Sequence, residues 1–517
     1  MGEAMGVPMF ASIYIGSYEV NLKIFEFTVK KQTHEVEFVS SRVNLGRDIL
    51  TNGKVGYEVV EDLCLVLNEF RRIIDSYHIT DYKAYCSTVL TQAENYMFVI
   101  DQIRIRTGFL AAILSNSEHR FLSYKAMAGQ ETFDQMIQTS AAVVDVGGAS
   151  IQITLFRKGD LLTTQHMEIG TMRLKSLLDR PGVPQDRYEK EIEEFINKRL
   201  EVFHSLYCQS GVDYIVYISD YGVNLMHGLS HNSAKEVIRA EKMQKYTEQL
   251  LAHPLEQITG ELNLSDDRDP MIIPAIMLFK EVSKKLDAKE IWFPGVDIND
   301  GIAYDYAQNA KLIRVNHDFE ADVLSAARHI AEHYKSHSPH IEALRGLATQ
   351  IFDTMKKVHG MGKRERLLLQ VATMLHDVGK YVSFSNGPEC AYQIIKSTEI
   401  IGLSHNEREM VGLIVLYNTL PLDDYDEVSD IISRENFVTV AKLAAILRVA
   451  NALDQSHKQK FKNSSMTIKD RQLVISIEAF EDISLEQMLF DSKTEFFESV
   501  FSMKPVLKGK RVYKNKK

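Results

Sequence analysis

Two short stretches carry residue types that could handle a phosphorylated ligand. Asp145-Val146-Gly147-Gly148-Ala149-Ser150 lies between two apolar, strand-like runs. Glycines in such a bend let backbone N–H groups close on an anion without interference from a Cβ. A carboxylate at the end of the preceding strand, here Asp145, can hold a hard divalent cation bound to that anion, and Ser150 adds a hydroxyl donor. Gly16-Ser17 sits in a comparable bend near the start of the chain. Either bend alone also suits an ordinary hairpin turn, so their recurrence is the stronger signal. A different chemistry is suggested by His376-Asp377, which closes the apolar helical stretch QVATML and precedes Val378-Gly379-Lys380. A His and an Asp at the edge of a buried face are costly unless paired or metal-bound. The other His-Asp pair, His317-Asp318, precedes a helical pattern, where Asp318 suits the positive N-terminal end.

These residues need elements to position them. Residues 11–29 alternate apolar and polar positions around the Gly16-Ser17 bend, as a β-hairpin does, and residues 34–45 read as another strand. Residues 57–77 set Val60, Leu63, Leu67, Phe70 and Ile74 at helical spacing. Residues 141–157 repeat the opening plan of strand, glycine-rich turn and strand. The repetition predicts two related α/β lobes with a cleft between them. From His317 to about Leu453 the pattern is almost wholly helical; residues 465–479 read as a two-stranded piece and 484–503 as a helix. The tail from Lys504 to Lys517 holds seven Lys/Arg and no acid, and reads as a frayed, solvated end. The expected divisions are a first lobe at 11–128, a second at 129–312, a helical domain at 313–460 and a small α+β region at 461–513.

At 517 residues the chain is too long for one core. Its 45% apolar and 25% charged residues exclude collagen-like, disulfide-scaffold and fully disordered classes. With 60 Lys+Arg against 70 Asp+Glu, a net charge of −10 argues against a non-specific nucleic-acid binder. The four cysteines, Cys64, Cys86, Cys208 and Cys390, form no CxxC pair, so a reducing cytoplasm is expected. The opening MGEAMGVPMF has neither a basic segment nor a long apolar one, so no signal peptide is expected, and no run suggests a membrane span.

The ordered stretches IYIGSYEVNLKIFEF, RVNLGRDI, TQAEN, LSNSEHRFLSY, VVDVGGASIQITLF, EIGTMRL and NDGIAYDYA resemble the Ppx/GppA family of exopolyphosphatases and guanosine pentaphosphate phosphohydrolases. KVHGMGKRERLLLQVATMLHDVGK and EIIGLSHNERE resemble that family's helical, HD-like C-terminal region. The resemblance implies the two-lobed fold of actin, Hsp70 and sugar kinases, followed by an all-α HD-like domain and a small α+β piece. It also implies Mg2+-assisted hydrolysis of a terminal phosphoanhydride on polyphosphate or guanosine pentaphosphate. Gly16, Ser17, Gly147, Gly148 and Ser150 would bind phosphate, Asp145 would hold the metal, and Gly170 persists from the family pattern.

The sequence departs from that pattern at several places. Tyr14 stands where the first hairpin of the family has Asp, and Tyr18 where it has Asn. Thr91 replaces a phosphate-binding Arg, and a threonine cannot make a guanidinium's bidentate, charge-assisted contact. The family's water-activating Glu falls at His119, with Glu118 one residue away. The mid-chain turn reads Ser219-Asp220-Tyr221, which adds a negative charge. In metal-dependent HD phosphohydrolases the ligand order is His, His-Asp, Asp; the resemblance maps it to His340, His376-Asp377 and Asp454, with a transition metal or zinc expected and Lys380 facing substrate phosphate. His405 and Asn418 fall in that fold's second-metal region. The chemistry is therefore expected in the cleft, with Glu118, His119 and Asp145 as candidate catalytic residues. The alternatives are a non-catalytic phosphate-ligand sensor and an HD-type hydrolase acting through the helical domain. A homodimer is also expected by resemblance.

Overall fold

The alternating stretch from Met9 to Phe27 folds into the expected hairpin. In the computed structural model, strands β1 (Met9–Ile15) and β2 (Glu19–Phe27) pair antiparallel around Gly16-Ser17. β3 (Thr33–Arg42) adds antiparallel to β2, while β4 (Tyr82–Cys86) and β5 (Ala111–Ile113) run parallel to β1, giving the order β3-β2-β1-β4-β5. The helix Tyr57–Ser76 buries the predicted stripe Val60, Leu63, Leu67, Phe70 and Ile74 in one core with Ile13, Leu22 and Ile24. The structure describes residues 7–130, 132–178, 188–219, 221–230, 236–264, 271–461, 464–479 and 482–511.

A second sheet holds β6 (Ser140–Val146), β7 (Ile151–Arg157), β8 (Asp160–Met167), β9 (Val212–Ile218), β10 (Val237–Arg239) and β11 (Ala288–Trp292). Its order is β10-β11-β9-β6-β7-β8. The run β8-β7-β6-β9-β11 has an antiparallel meander followed by parallel strands, the same plan as β3-β2-β1-β4-β5. Tyr14 is next to last in β1 and Asp145 next to last in β6, so they hold matching places. The second sheet has its own core, with Ile153, Ile196, Tyr217 and Phe279 among its members.

The chain then returns to the first sheet. The helix Ile298–Asn309 packs on β1, β2 and the helix Asn116–Ala128. Gly301 makes the helix–helix approach possible, since a Cβ there would lie 2.0 Å from the Leu122 carbonyl oxygen. Buried polar groups fix the register: Ser12 Oγ donates to Asn299 Oδ1 at 2.8 Å, and Lys23 Nζ lies 3.0 Å from Asp297 and 2.9 Å from Asp300. A buried ammonium is tolerable because it is paired this way.

Residues from Phe319 onward form a second compact unit, helical in its larger part. The helix Arg434–Leu453 is long and apolar enough to cross a membrane by length and composition, which the sequence reading did not anticipate, yet 61% of its apolar stretch is buried inside the protein. Val440, Leu443, Leu447 and Ala450 are buried. Near the end of the chain, β12 (Ser465–Lys469), β13 (Gln472–Ala479) and β14 (Lys504–Arg511) form a sheet in that order, β14 being parallel to β13 after the helix Ser484–Phe501. This corrects the reading of the tail as frayed from Lys504. Pro505 and Leu507 turn inward while Lys504 and Lys508 stay exposed, a two-residue alternation hidden by the abundance of lysine. Residues 512–517 lie outside the described residues.

Candidate functional site

Both glycine bends are closed by backbone hydrogen bonds. Gly16 N–H donates to the Glu19 carbonyl at 2.8 Å, and the Ser17 carbonyl accepts from Gly46 N–H at 2.6 Å. In the second bend Gly147 N–H donates to the Ser150 carbonyl at 3.0 Å, and the Gly148 carbonyl accepts from Met172 N–H at 2.8 Å. Gly170 lies so close that a Cβ on it would stand 2.3 Å from Gly148 O and Ser150 N. The bends share a neighbour. A Cβ on Gly148 would meet Met172 Sδ at 2.9 Å; one on Gly46 would meet Ser17 Cβ at 3.1 Å and Met172 Cε at 3.7 Å. Gly16-Ser17 and Gly147–Ser150 thus approach one another from the two lobes, with Met172 between.

The helix Asn116–Ala128 brings further groups to this place. It starts with a capping box: Ser115 N–H and Oγ donate to Glu118 Oε2 at 2.9 and 2.6 Å, and Glu118 N–H donates to Ser115 Oγ at 3.2 Å. Glu118, a candidate for the water-activating position, is exposed, and its carboxylate secures the helix start. His119 is half-buried, and its ring lies 5.5 Å from that of Tyr14 at a 53° tilt. Burial lowers the His119 pKa below its ordinary 6.5; Asp145 pulls it upward and Arg120 downward, and burial prevails. A neutral imidazole near a carboxylate can accept a proton at neutral pH.

Arg120 escaped the sequence reading. Its Nη1 donates to Gln152 Oε1 at 2.9 Å, and its Nη2 lies 2.8 Å from Ser150 Oγ and 2.6 Å from His166 Nδ1. Its place beside His119 was the available signal. Thr91 offers no substitute charge: it is exposed, and its hydroxyl donates to the Thr88 carbonyl at 2.7 Å. Asp220 lies outside the described residues. Mg2+ favours several oxygen ligands. Beside Asp145, the matching strand presents the Tyr14 phenol instead of a second carboxylate, and the imidazole of His119 is a soft neighbour. This donor set fits Mg2+ poorly.

In the second unit, donor atoms of His340, His376 and Asp377 lie within 4.8 Å of one another. His340 belongs to the helix Ser338–Thr354, and His376 ends the helix Lys363–Leu375. His376 Nδ1 lies 2.8 Å from the Thr373 carbonyl, which assigns the proton to Nδ1. Nε2 keeps its lone pair; it is buried, lies 3.3 Å from Asp377 Oδ1 and has no hydrogen-bond partner among the described residues. Burial pushes the His376 pKa down to about 4 against the pull of Asp377. Burial alone would raise the Asp377 carboxyl, but His376 and Lys380 hold it below the usual range, with Lys380 Nζ at 2.8 Å.

Asp454, expected as a fourth ligand, stands behind His340. Its Oδ2 is 2.8 Å from His340 Nδ1 and its Oδ1 accepts from Gln459 N–H at 2.7 Å, so both oxygens are taken. A carboxylate on Nδ1 orients the imidazole and leaves Nε2 for a metal. His457, also unforeseen, stacks on His340 with centroids 4.0 Å apart, and the His376 ring lies 5.1 Å from His340. Two Nε2 lone pairs and a carboxylate fit a transition metal or zinc. His405 is exposed at the start of the helix His405–Tyr417, outside this cluster; Asn418 is buried at the end of that helix. His317 has a separate role: its Nε2 meets the buried Tyr124 Oη and its Nδ1 meets the partly exposed Asp134 Oδ1, both at 2.8 Å, bridging two helices.

The sequence profile of the Ppx/GppA phosphatase family matches residues 28–310, and that of Ppx/GppA phosphatase domain III matches residues 324–493. A guanosine-5'-triphosphate,3'-diphosphate pyrophosphatase of Aeromonas hydrophila is 20% identical over 86% of this chain and 87% of its own length. A bifunctional 3-dehydroquinate synthase/phosphatase of Fusobacterium nucleatum is 25% identical over 32% of this chain and 25% of its own. Among solved structures, an exopolyphosphatase from Cytophaga hutchinsonii superposes with a TM-score of 0.52, and a Ppx/GppA family member from Aquifex aeolicus with 0.51. Each is 18% identical and covers 60% of this chain and 100% of the other, a likeness of fold. The chain belongs to the Ppx/GppA phosphatase family, and its paired sheets are the two actin-like lobes of that fold.

Proposed function

We propose that this chain is a phosphoanhydride hydrolase releasing terminal phosphate from polyphosphate or guanosine pentaphosphate. The observation that carries the reading is the approach of the two glycine bends around Met172, with His119 beside Tyr14 and within the influence of the Asp145 charge. In this reading the 147–150 bend and the hydroxyls of Ser17 and Ser150 grip the phosphate. Water attacks the terminal phosphorus, its proton passes to the His119 ring, and the bridging P–O bond breaks. Asp145 then stabilises the imidazolium across the cleft. Family phosphohydrolases generally need a divalent metal, and the names of the Aeromonas and Cytophaga relatives favour these two substrates. The test is phosphate release from polyphosphate, guanosine pentaphosphate and nucleotides, with Asp145→Ala and His119→Ala in parallel. Release by wild type and a 100-fold or greater loss in both variants is expected, on the scale of a general base. If no substrate yields phosphate, the hydrolase reading is lost, and calorimetric binding without turnover identifies a sensor.

A second reading rests on the buried Nε2 of His376, which has no hydrogen-bond partner among the described residues and lies beside Asp377. His340, His376 and Asp377 would hold a divalent transition metal, which when bound acidifies a coordinated water. Elemental analysis finding no metal, with full activity in His376→Ala, removes this reading.

A further inference from the structure

We infer that Arg120 is the phosphate-binding cation of the cleft, supplying from the helix Asn116–Ala128 the charge that Thr91 cannot. The assignment rests on the proposed role of the cleft as a phosphate site. Its basis is geometric. Arg120 Nη2 lies 2.8 Å from Ser150 Oγ, the side-chain donor of the 147–150 bend. Any phosphate oxygen that accepts from this hydroxyl comes within one further hydrogen-bond length of the guanidinium. Gln152 holds Nη1 at 2.9 Å, and Gln152 pairs with Asp145 across the β6–β7 ladder. The guanidinium is therefore fixed to the strand that begins where the bend ends. Ser150, Gln152 and His166 together orient the fork. A guanidinium offers a planar set of donors that matches two phosphate oxygens, which neither lysine nor threonine reproduces.

The charge has moved relative to the family's pattern rather than disappeared. Residue 91 belongs to the short helical turn Thr88–Gln92 that follows β4 in the first sheet; Arg120 reaches across to β7 in the second. A phosphate held by Arg120 is consequently gripped from both lobes, by a first-lobe helix and a second-lobe bend.

The experiment measures tripolyphosphate binding by calorimetry and phosphate release by kinetics, in wild type, Arg120→Gln, Arg120→Lys, Thr91→Arg/Arg120→Gln and Arg157→Gln. Arg157 bonds Ser210 at 2.8 Å at the far end of β7 and serves as the control. Loss of a charge-assisted contact should weaken tripolyphosphate binding about 10- to 100-fold in Arg120→Gln and raise KM by a similar factor where turnover is seen. Arg120→Lys should recover only part of this, and Thr91→Arg in the Gln background most of it, because the charge returns by the other route. That recovery also separates lost binding from lost folding, since a collapsed cleft would not be rescued by a distant residue. Weakened binding with this rescue supports the assignment whether or not the protein turns over. Binding unchanged within twofold in Arg120→Gln overturns it even if phosphate release is intact, as does failure of wild type to bind tripolyphosphate.

Discussion

Tyr14 and Asp145 occupy equivalent points of two sheets built on one plan, each the penultimate residue of a seven-residue strand leading into a glycine bend. One lobe thus presents a carboxylate and the other a phenol packed against His119. Replacing the phenol should restore the missing oxygen ligand. Tyr14→Asp is expected to raise Mg2+ affinity at least tenfold in the presence of tripolyphosphate, since a second carboxylate answers the main defect of the site. Calorimetric titration with Mg2+ checks this, and an affinity equal to wild type contradicts it.

Gly170 sets the shape of the 147–150 bend through close approach. Gly170→Ala forces a methyl group into the backbone of residues 148–150. Overpacking of this kind costs about 1–3 kcal/mol. A lowered urea midpoint together with weaker tripolyphosphate binding is expected; a variant as stable and as tight-binding as wild type would show that the bend yields.

Stability should depend on pH through His376. Its folded pKa is about 4, against about 6.5 when unfolded. Between these values the unfolded chain binds more protons, so stability falls as pH drops from about 6.5 and levels off below about 4. The loss is on the order of 3 kcal/mol for this group. Urea unfolding of chelator-treated protein at pH 7 and pH 5 should give a lower midpoint at pH 5, and His376→Ala should flatten the difference. A slope that survives the substitution assigns it to other groups.

The position of Asp454 predicts a graded series in the second unit. Removing a ligand in His340→Ala or Asp377→Asn should abolish Zn2+ or Mn2+ binding, whereas Asp454→Asn should weaken it about 10- to 100-fold, as loss of an orienting partner does. Equilibrium dialysis with metal analysis measures all three. Equal loss in each variant would instead make Asp454 a direct ligand.

Much of the fold was legible because period-two alternation and glycine bends survive in the strands: residues 11–29 and 141–157 declare their hairpins without tertiary help. His376-Asp377 stood out because polar residues ending an apolar helix demand a reason. Arg120 was not legible, since what a long side chain reaches depends on which strand lies opposite its helix. His457 was hidden for the same reason: Ser456, Lys458 and Gln459 around it read as surface, and only the turn after Leu453 folds it back on His340. Nor could the sequence show that the Glu118 carboxylate bonds Ser115 and the Asp454 carboxylate bonds His340 Nδ1. Spacing names residue types near a site, but which oxygen caps a helix and which faces a metal is settled by packing.

Gly301 lets two helices meet backbone to backbone: a Cβ there would stand 2.0 Å from Leu122 O, well inside contact distance. Such a contact has no compliant layer to absorb sliding. The helix that carries His119 and Arg120 is coupled as a stiff strut to the one anchored by Asn299 and Asp300 on the opening hairpin. The same joint therefore also holds the His119 ring in place against Tyr14.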